Sequence, residues 1–112
     1  MSEEYRLIGV GERFNNADGS SRQDELARCK PGEALELRRE PGNPRHPRAI
    51  ALYSCRGVQL GYLSREHADW IAPMLDRGAS AATSVVTVAP RGRPFSPLAL
   101  TLRLRLCVDE PR

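Results

Sequence analysis

Reactive side chains are scattered in this 112-residue sequence and are poorly grouped for catalysis. Cys55 and His67 can be drawn as nucleophile and base, but group transfer needs a nucleophile, a base and an orienting group converging on one point. Cys55 ends a strand-like run before a Gly turn, and nothing in the sequence brings His67 to it. The carboxylate pairs Glu36/Glu40 and Asp69/Asp76 read as solvated strand and helix faces rather than as an acid and base about a scissile bond. Gly9-Val10-Gly11 opens a GxG pattern, yet no third glycine arrives in place and no helix opens directly after it, as a phosphate-cradling loop requires. Cys29, Cys55 and Cys107 are odd in number and widely spaced, which implies reduced thiols rather than a disulfide framework or a CxxC pair. His46 and His67 stand far apart with no Cys pair beside either, so zinc-ligand spacing is absent. The expectation is a protein with no catalytic residues, no metal and no cofactor.

Anion and base recognition is the more coherent chemistry. Arg13 and Phe14 follow a predicted first strand; Arg45, His46 and Arg48 occupy the Pro-rich run EPGNPRHPR; Arg65 stands at the start of a helix, where backbone N–H groups already favour a phosphate. Sixteen of the seventeen cations are Arg, whose planar fork suits bidentate phosphate contact and stacking on bases. A GC-rich genome would also write Arg for any surface cation. Phe14 has two readings, a stacking platform for a base or a core residue. Residues 5–108 carry sixteen cations against ten acids, Glu3, Glu4, Asp109, Glu110 and Arg112 being assigned to frayed ends.

The elements that must hold these residues follow from periodicity. Tyr5 to Val10 alternates as a strand and leads into an Asn-, Asp- and Gly-rich loop from Gly11 to Gly19. Ser20 or Ser21 caps a short helix to about Cys29, which Pro31 and Gly32 stop. Three strands are predicted at Ala34 to Arg39, Ala49 to Ser54 and Val58 to Leu63. Between the first two, Pro41, Pro44 and Pro47 fix backbone angles, so this loop presents its side chains stiffly. Ser64 caps a second helix reaching Gly78, with Pro73 expected to kink it or stop it early. Thr83 to Val88 and Leu98 to Cys107 complete the set, the latter with leucines on one face and Thr101, Arg103 and Arg105 on the other. About six short strands and two helices predict an α+β, mainly β domain: a small OB-like or SH3-like barrel, with its core over about residues 5–108.

The length suits one domain, and no internal repeat or dividing linker interrupts it. The beginning, MSEEYRLIGVGER, lacks the apolar segment of a secretion signal, and the longest uncharged stretch, Gly78 to Pro90, falls short of the roughly 20 residues of a membrane span. A cytoplasmic protein with no membrane association is expected.

Three segments in order, VGERF (10–14), PGEALELRREPGNPRHPRAIALY (31–53) and GVQLGYLSREHADWIAPMLDRG (57–78), resemble the HIRAN domain over roughly residues 7–88. That family occurs within helicase-like and ubiquitin-ligase proteins and alone in bacteria. The resemblance implies an OB-like barrel that binds single-stranded DNA, with a preference for a free 3′ end, and hence a link to repair or stalled-fork processing beside a helicase or nuclease partner. It implies that Arg13 contacts phosphate, that a terminal base stacks on Phe14, and that Arg65 contacts the backbone. The chain departs from the family pattern in the Pro-rich loop: where the family commonly has Asp in NPxD to accept from the 3′-hydroxyl, Arg45 and His46 stand here. General single-strand binding is expected to survive this change better than end recognition. The alternative is a protein-interaction adaptor on a barrel without DNA binding, docking through Trp70, Tyr62 and the Arg91 to Phe95 loop.

Overall fold

Alternate leucines from Leu98 to Leu106 must share one face of any strand they form. Leu100, Leu102, Leu104 and Leu106 are indeed buried, while Arg103 and Arg105 between them are exposed. The computed structural model that shows this describes residues 2–90, 92 and 96–107. Its elements run β1 (Ser2–Val10), α1 (Arg22–Arg28), β2 (Ala34–Arg39), β3 (Ile50–Tyr53), β4 (Gln59–Leu63), α2 (Arg65–Asp76), β5 (Ser80–Pro90) and β6 (Leu98–Cys107). All neighbours pair antiparallel and the sheet closes as β1-β4-β3-β2-β5-β6, a mainly β barrel with two helices, as the pattern predicted. Leu26 of α1 and Ala68, Ile71 and Ala72 of α2 join the barrel leucines in one core.

Two strands extend beyond the sequence reading because pairing overrides local propensity. β1 begins at Ser2, with Glu3 and Glu4 in register opposite Leu106 and Arg105, so these acids are not frayed. Asp109, Glu110 and Arg112 lie outside the described residues. β5 runs from Ser80 to Pro90, its weak strand formers Ser80 to Ala82 held by β6 from Cys107 to Arg105. β6 is paired on both sides and offers no free edge to a second copy.

Pro73 neither stops α2 early nor leaves its backbone unsatisfied: the helix continues to Asp76. A helical proline withholds the N–H that would bond the carbonyl four residues back. Here that carbonyl belongs to Asp69, and Arg48 Nη1 donates to it at 3.2 Å. Arg39 grips the other end of the helix, Nε and Nη2 donating to the two carboxylate oxygens of Asp76 at 2.9 and 3.1 Å. At α1, Ser21 is the cap and accepts the Asp24 N–H. Buried Glu25 accepts from Ser54 Oγ and Arg56 Nε, both at 2.6 Å, which ties the helix to the β3–β4 turn. Arg56 also reaches Glu33, whose carboxyl its hydrogen bond holds below the usual range. Burial pushes the Cys29 thiol up despite the nearby Arg56 guanidinium.

Barrel closure between β1 and β4 rests on two pairs, Gly9↔Leu63 and Val10↔Tyr62. Beside them, Gly61 has φ 151° and lies so close to β1 that a Cβ there would sit 2.5 Å from the Val10 carbonyl oxygen. Gly61→Ala is therefore expected to cost about 3 kcal/mol, from a strained backbone angle and a backbone clash together, read as a lowered denaturation midpoint. Gly19→Ala, also at positive φ but in open space, is expected to cost about 1 kcal/mol. A hydrogen bond to Arg39 holds the Asp76 carboxyl below 3.8, so the stabilisation is complete above that value and is lost as pH falls through the lower folded-state midpoint. An NMR titration of Asp76 should show a midpoint below 3.8 that returns upward in Arg39→Ala.

Candidate functional site

A groove of about 800 Å³ opens on the outer surface where β1 and β4 meet. One wall comes from the end of β1 and the loop after it: Val10, Gly11 and Phe14. The other is the Pro-rich loop, Asn43 to His46, with Arg65 of α2 beyond it, and Tyr62 lies between them with Arg22 beside it. Three arginines and a histidine are among the lining residues and no described lining residue is acidic. The charge therefore suits a polyanion.

The Pro-rich loop is held by a chain of hydrogen bonds rather than by proline alone. Glu40 Oε1 accepts from Tyr62 Oη at 2.9 Å and from Asn43 Nδ2 at 3.1 Å. Asn43 Oδ1 in turn accepts the backbone N–H groups of Arg45 at 2.9 Å and His46 at 3.3 Å, an Asn-centred turn of the kind this side chain favours. Arg65 Nη2 donates to the Arg45 carbonyl at 2.7 Å, which ties α2 to the loop. The backbone under Arg45 is thus fixed while its side chain stands exposed.

Phe14 is 65% exposed, which answers the question its sequence position left open: it is not a core residue. It sits at the groove on a turn closed by its N–H to the Gly11 carbonyl. Of the other predicted residues, Arg45, His46 and Arg65 share the groove with Phe14, while Arg13 is exposed on the same turn outside the lining. Arg48 is also outside, committed to the Asp69 carbonyl. His46 Nε2 is turned toward Asp69 Oδ1 at 3.4 Å, within ion-pair reach but not aligned as a hydrogen bond. The geometry makes this a loop-to-helix contact rather than a free acceptor.

Arg22, Asn43 and Tyr62 belong to the site and were not among the residues predicted to bind. Arg22 is buried at the start of α1; its Nε donates to Asn16 Oδ1 at 2.7 Å and its Nη1 to the Gly11 carbonyl at 2.8 Å. Its guanidinium carbon lies 5.5 Å from the Tyr62 ring centroid, a cation–π distance. Its place right after the Ser21 cap was the only local signal. Tyr62, named in the adaptor reading, is separated in role from Trp70, which packs edge-on against Tyr5 at 5.1 Å. Arg91, Arg93 and Phe95 of that reading lie outside the described residues. Among the described residues no group of three His, Cys, Asp or Glu could hold a metal ion, and no helix is long and apolar enough to cross a membrane.

A closed barrel with a basic, aromatic-rimmed groove defines a class of small binding domain. Residues 10–106 match the HIRAN domain family, and the chain belongs to it. The match runs past the three segments that carried the sequence resemblance and into the last strand. The fold is similar to that of a protein from Lactobacillus plantarum, with TM-score 0.69 and 23% identity over 94% of this chain and 98% of that one. It is similar too to the HIRAN domain of human HLTF, with TM-score 0.68 and 22% identity over 94% of this chain and 78% of that one. No curated protein matches the sequence. Family membership supports a nucleic-acid-binding module.

Loop order is itself testable. Asn43→Ala removes the acceptor that folds the turn and is expected to cost about 1 to 2 kcal/mol and to speed proteolytic cleavage within residues 41–48. Unchanged cleavage would mean that the prolines alone hold the loop.

Proposed function

We propose that the chain is a non-catalytic module that binds single-stranded nucleic acid, DNA above all, in the groove between the β1–α1 turn and the Pro-rich loop. The observation that carries this reading is the 65% exposed Phe14 beside Arg22, Arg45 and Arg65 in a groove with no acid among its described lining residues. An aromatic face stacks on any base, and arginines beside it neutralise the phosphates on either side of that base. Arg13, on the rim, adds to the field that draws the strand in. A module of this kind acts in the cytoplasm in DNA repair or stalled-fork processing, delivering a helicase or nuclease partner to its substrate.

Recognition of a 3′-hydroxyl requires an acceptor held free for it. Arg45 offers donors alone, and His46 Nε2 faces Asp69, so the groove is read as a general single-strand site rather than a selective 3′-end site. Fluorescence anisotropy with labelled single strands ending in a 3′-hydroxyl or a 3′-phosphate, and with a blunt duplex, tests both points. Equal, salt-sensitive binding of the two single strands is expected, with weaker binding of the duplex. Phe14→Ala should lose about 1 to 3 kcal/mol of binding, roughly 5- to 150-fold, with an unchanged melting temperature. Loss of binding on 3′-phosphorylation would restore end selectivity, and failure to bind any of the three would remove nucleic acid as the ligand.

A further inference from the structure

The outer face of β1 does not end at the groove. Val10, which lines the groove, is the last of a row of exposed residues that continues back through Ile8 to Arg6 and Glu4. Ile8 and Val10 are 42% and 36% exposed, so the row leaves the groove over β-branched side chains and arrives at charge.

That charge is concentrated. Arg6 stands directly opposite Arg103 of β6, and Arg105 lies two residues along on the same face. Cross-strand neighbours are about 5 Å apart at Cα and alternate residues about 6.7 Å, so three guanidinium groups share one small patch. Like charges set directly opposite destabilise a sheet. Among the described residues one carboxylate offsets them: Glu4, in register with Arg105, pairs with Arg103 at 2.9 Å. Among the described residues Arg6 and Arg105 have no ion-pair or hydrogen-bond partner for their side chains. On the far side β5 presents only Ala82 and Ser84 opposite Arg105 and Arg103, which leaves the face low and open.

We propose that this β1–β6 face is a second phosphate-binding surface, a track formed by Arg6, Arg103 and Arg105 that takes the backbone of the same nucleic-acid strand after it leaves the groove. The inference rests on the groove being a single-strand site and extends its footprint. Arg6 lies four residues, about 13 Å, from Val10, so a strand reaching the track must be longer than one that fills the groove. Ile8 and Thr101, opposite one another, lie under the strand between the two.

The test compares affinity for a single strand of about four nucleotides with one of about twelve, a range single barrels of this kind span. The wild-type protein should bind the longer strand more tightly and with a steeper salt dependence. Arg6→Ala/Arg105→Ala should leave the short strand's affinity unchanged, weaken the long one roughly tenfold, and flatten its salt slope by about 1.4. Glu4→Gln, which removes the carboxylate paired with Arg103 and frees that guanidinium, should tighten the long strand alone; this gain cannot come from misfolding. Short-strand binding with no gain from length, or a double variant that binds the long strand as wild type does, overturns the track while leaving the groove. Failure of the short strand and of the long strand alike overturns the groove reading itself. An acidic peptide bound by wild type and lost in the double variant, with no length effect for DNA, would assign the face to an acidic protein and overturn the proposal.

Discussion

Closure of the barrel turns on the close approach of two backbones. β1 meets β4 over only two pairs, and beside them the Val10 carbonyl sits where any side chain on residue 61 would have to be. Everything at the groove is referenced to that seam. Val10 and the turn that carries Phe14 follow from β1, while Tyr62 and the helix that begins at Arg65 follow from β4. A barrel that failed to close here would separate the aromatic rim from the arginines opposite it.

Around the seam, polar side chains do structural work that keeps loops at fixed distances. Arg22 clamps Asn16 and the Gly11 carbonyl, so the turn bearing Phe14 is fastened to α1. Glu40, Asn43 and Tyr62 fasten the opposite wall to the floor. The Pro-rich loop is further pinned to α2 by Arg65 on the Arg45 carbonyl and by Arg48 on the Asp69 carbonyl. Each of these arginines satisfies a backbone oxygen, and the loops reach a ligand already ordered, which lowers the entropic cost of binding. Arginine is thus used in two ways in one small domain, as mortar under the groove and as open charge on its surface.

The two uses explain why counting cations in the sequence overstated some residues and missed others. Arg48 and Arg22 are both arginines next to loops, yet Arg48 is committed to a helix carbonyl while Arg22 lines the groove from a buried position. Arg56, in the β3–β4 turn, is bound to Glu25 and Glu33. Conversely, ninety-eight positions lie between Arg6 and Arg105, and they become neighbours only when β1 lies against β6.

By itself the sequence determined the class of fold, the helix cap at Ser64, the Ser20–Ser21 pair from which the structure takes Ser21 as the other cap, and the inward face of β6, because capping and strand alternation are local and depend on residues a few positions apart. It also carried the family, through motifs whose order survives without coordinates. Tertiary structure alone decided that Phe14 points to solvent, that α2 passes through Pro73 with Arg48 completing its hydrogen bonding, and that Ser2 to Glu4 are strand. It alone decided which arginines are open. The physical reason is common to all four: burial, the donor for an orphaned carbonyl, and the partner of a strand or a charge are supplied by residues remote in the chain, and no local pattern records them.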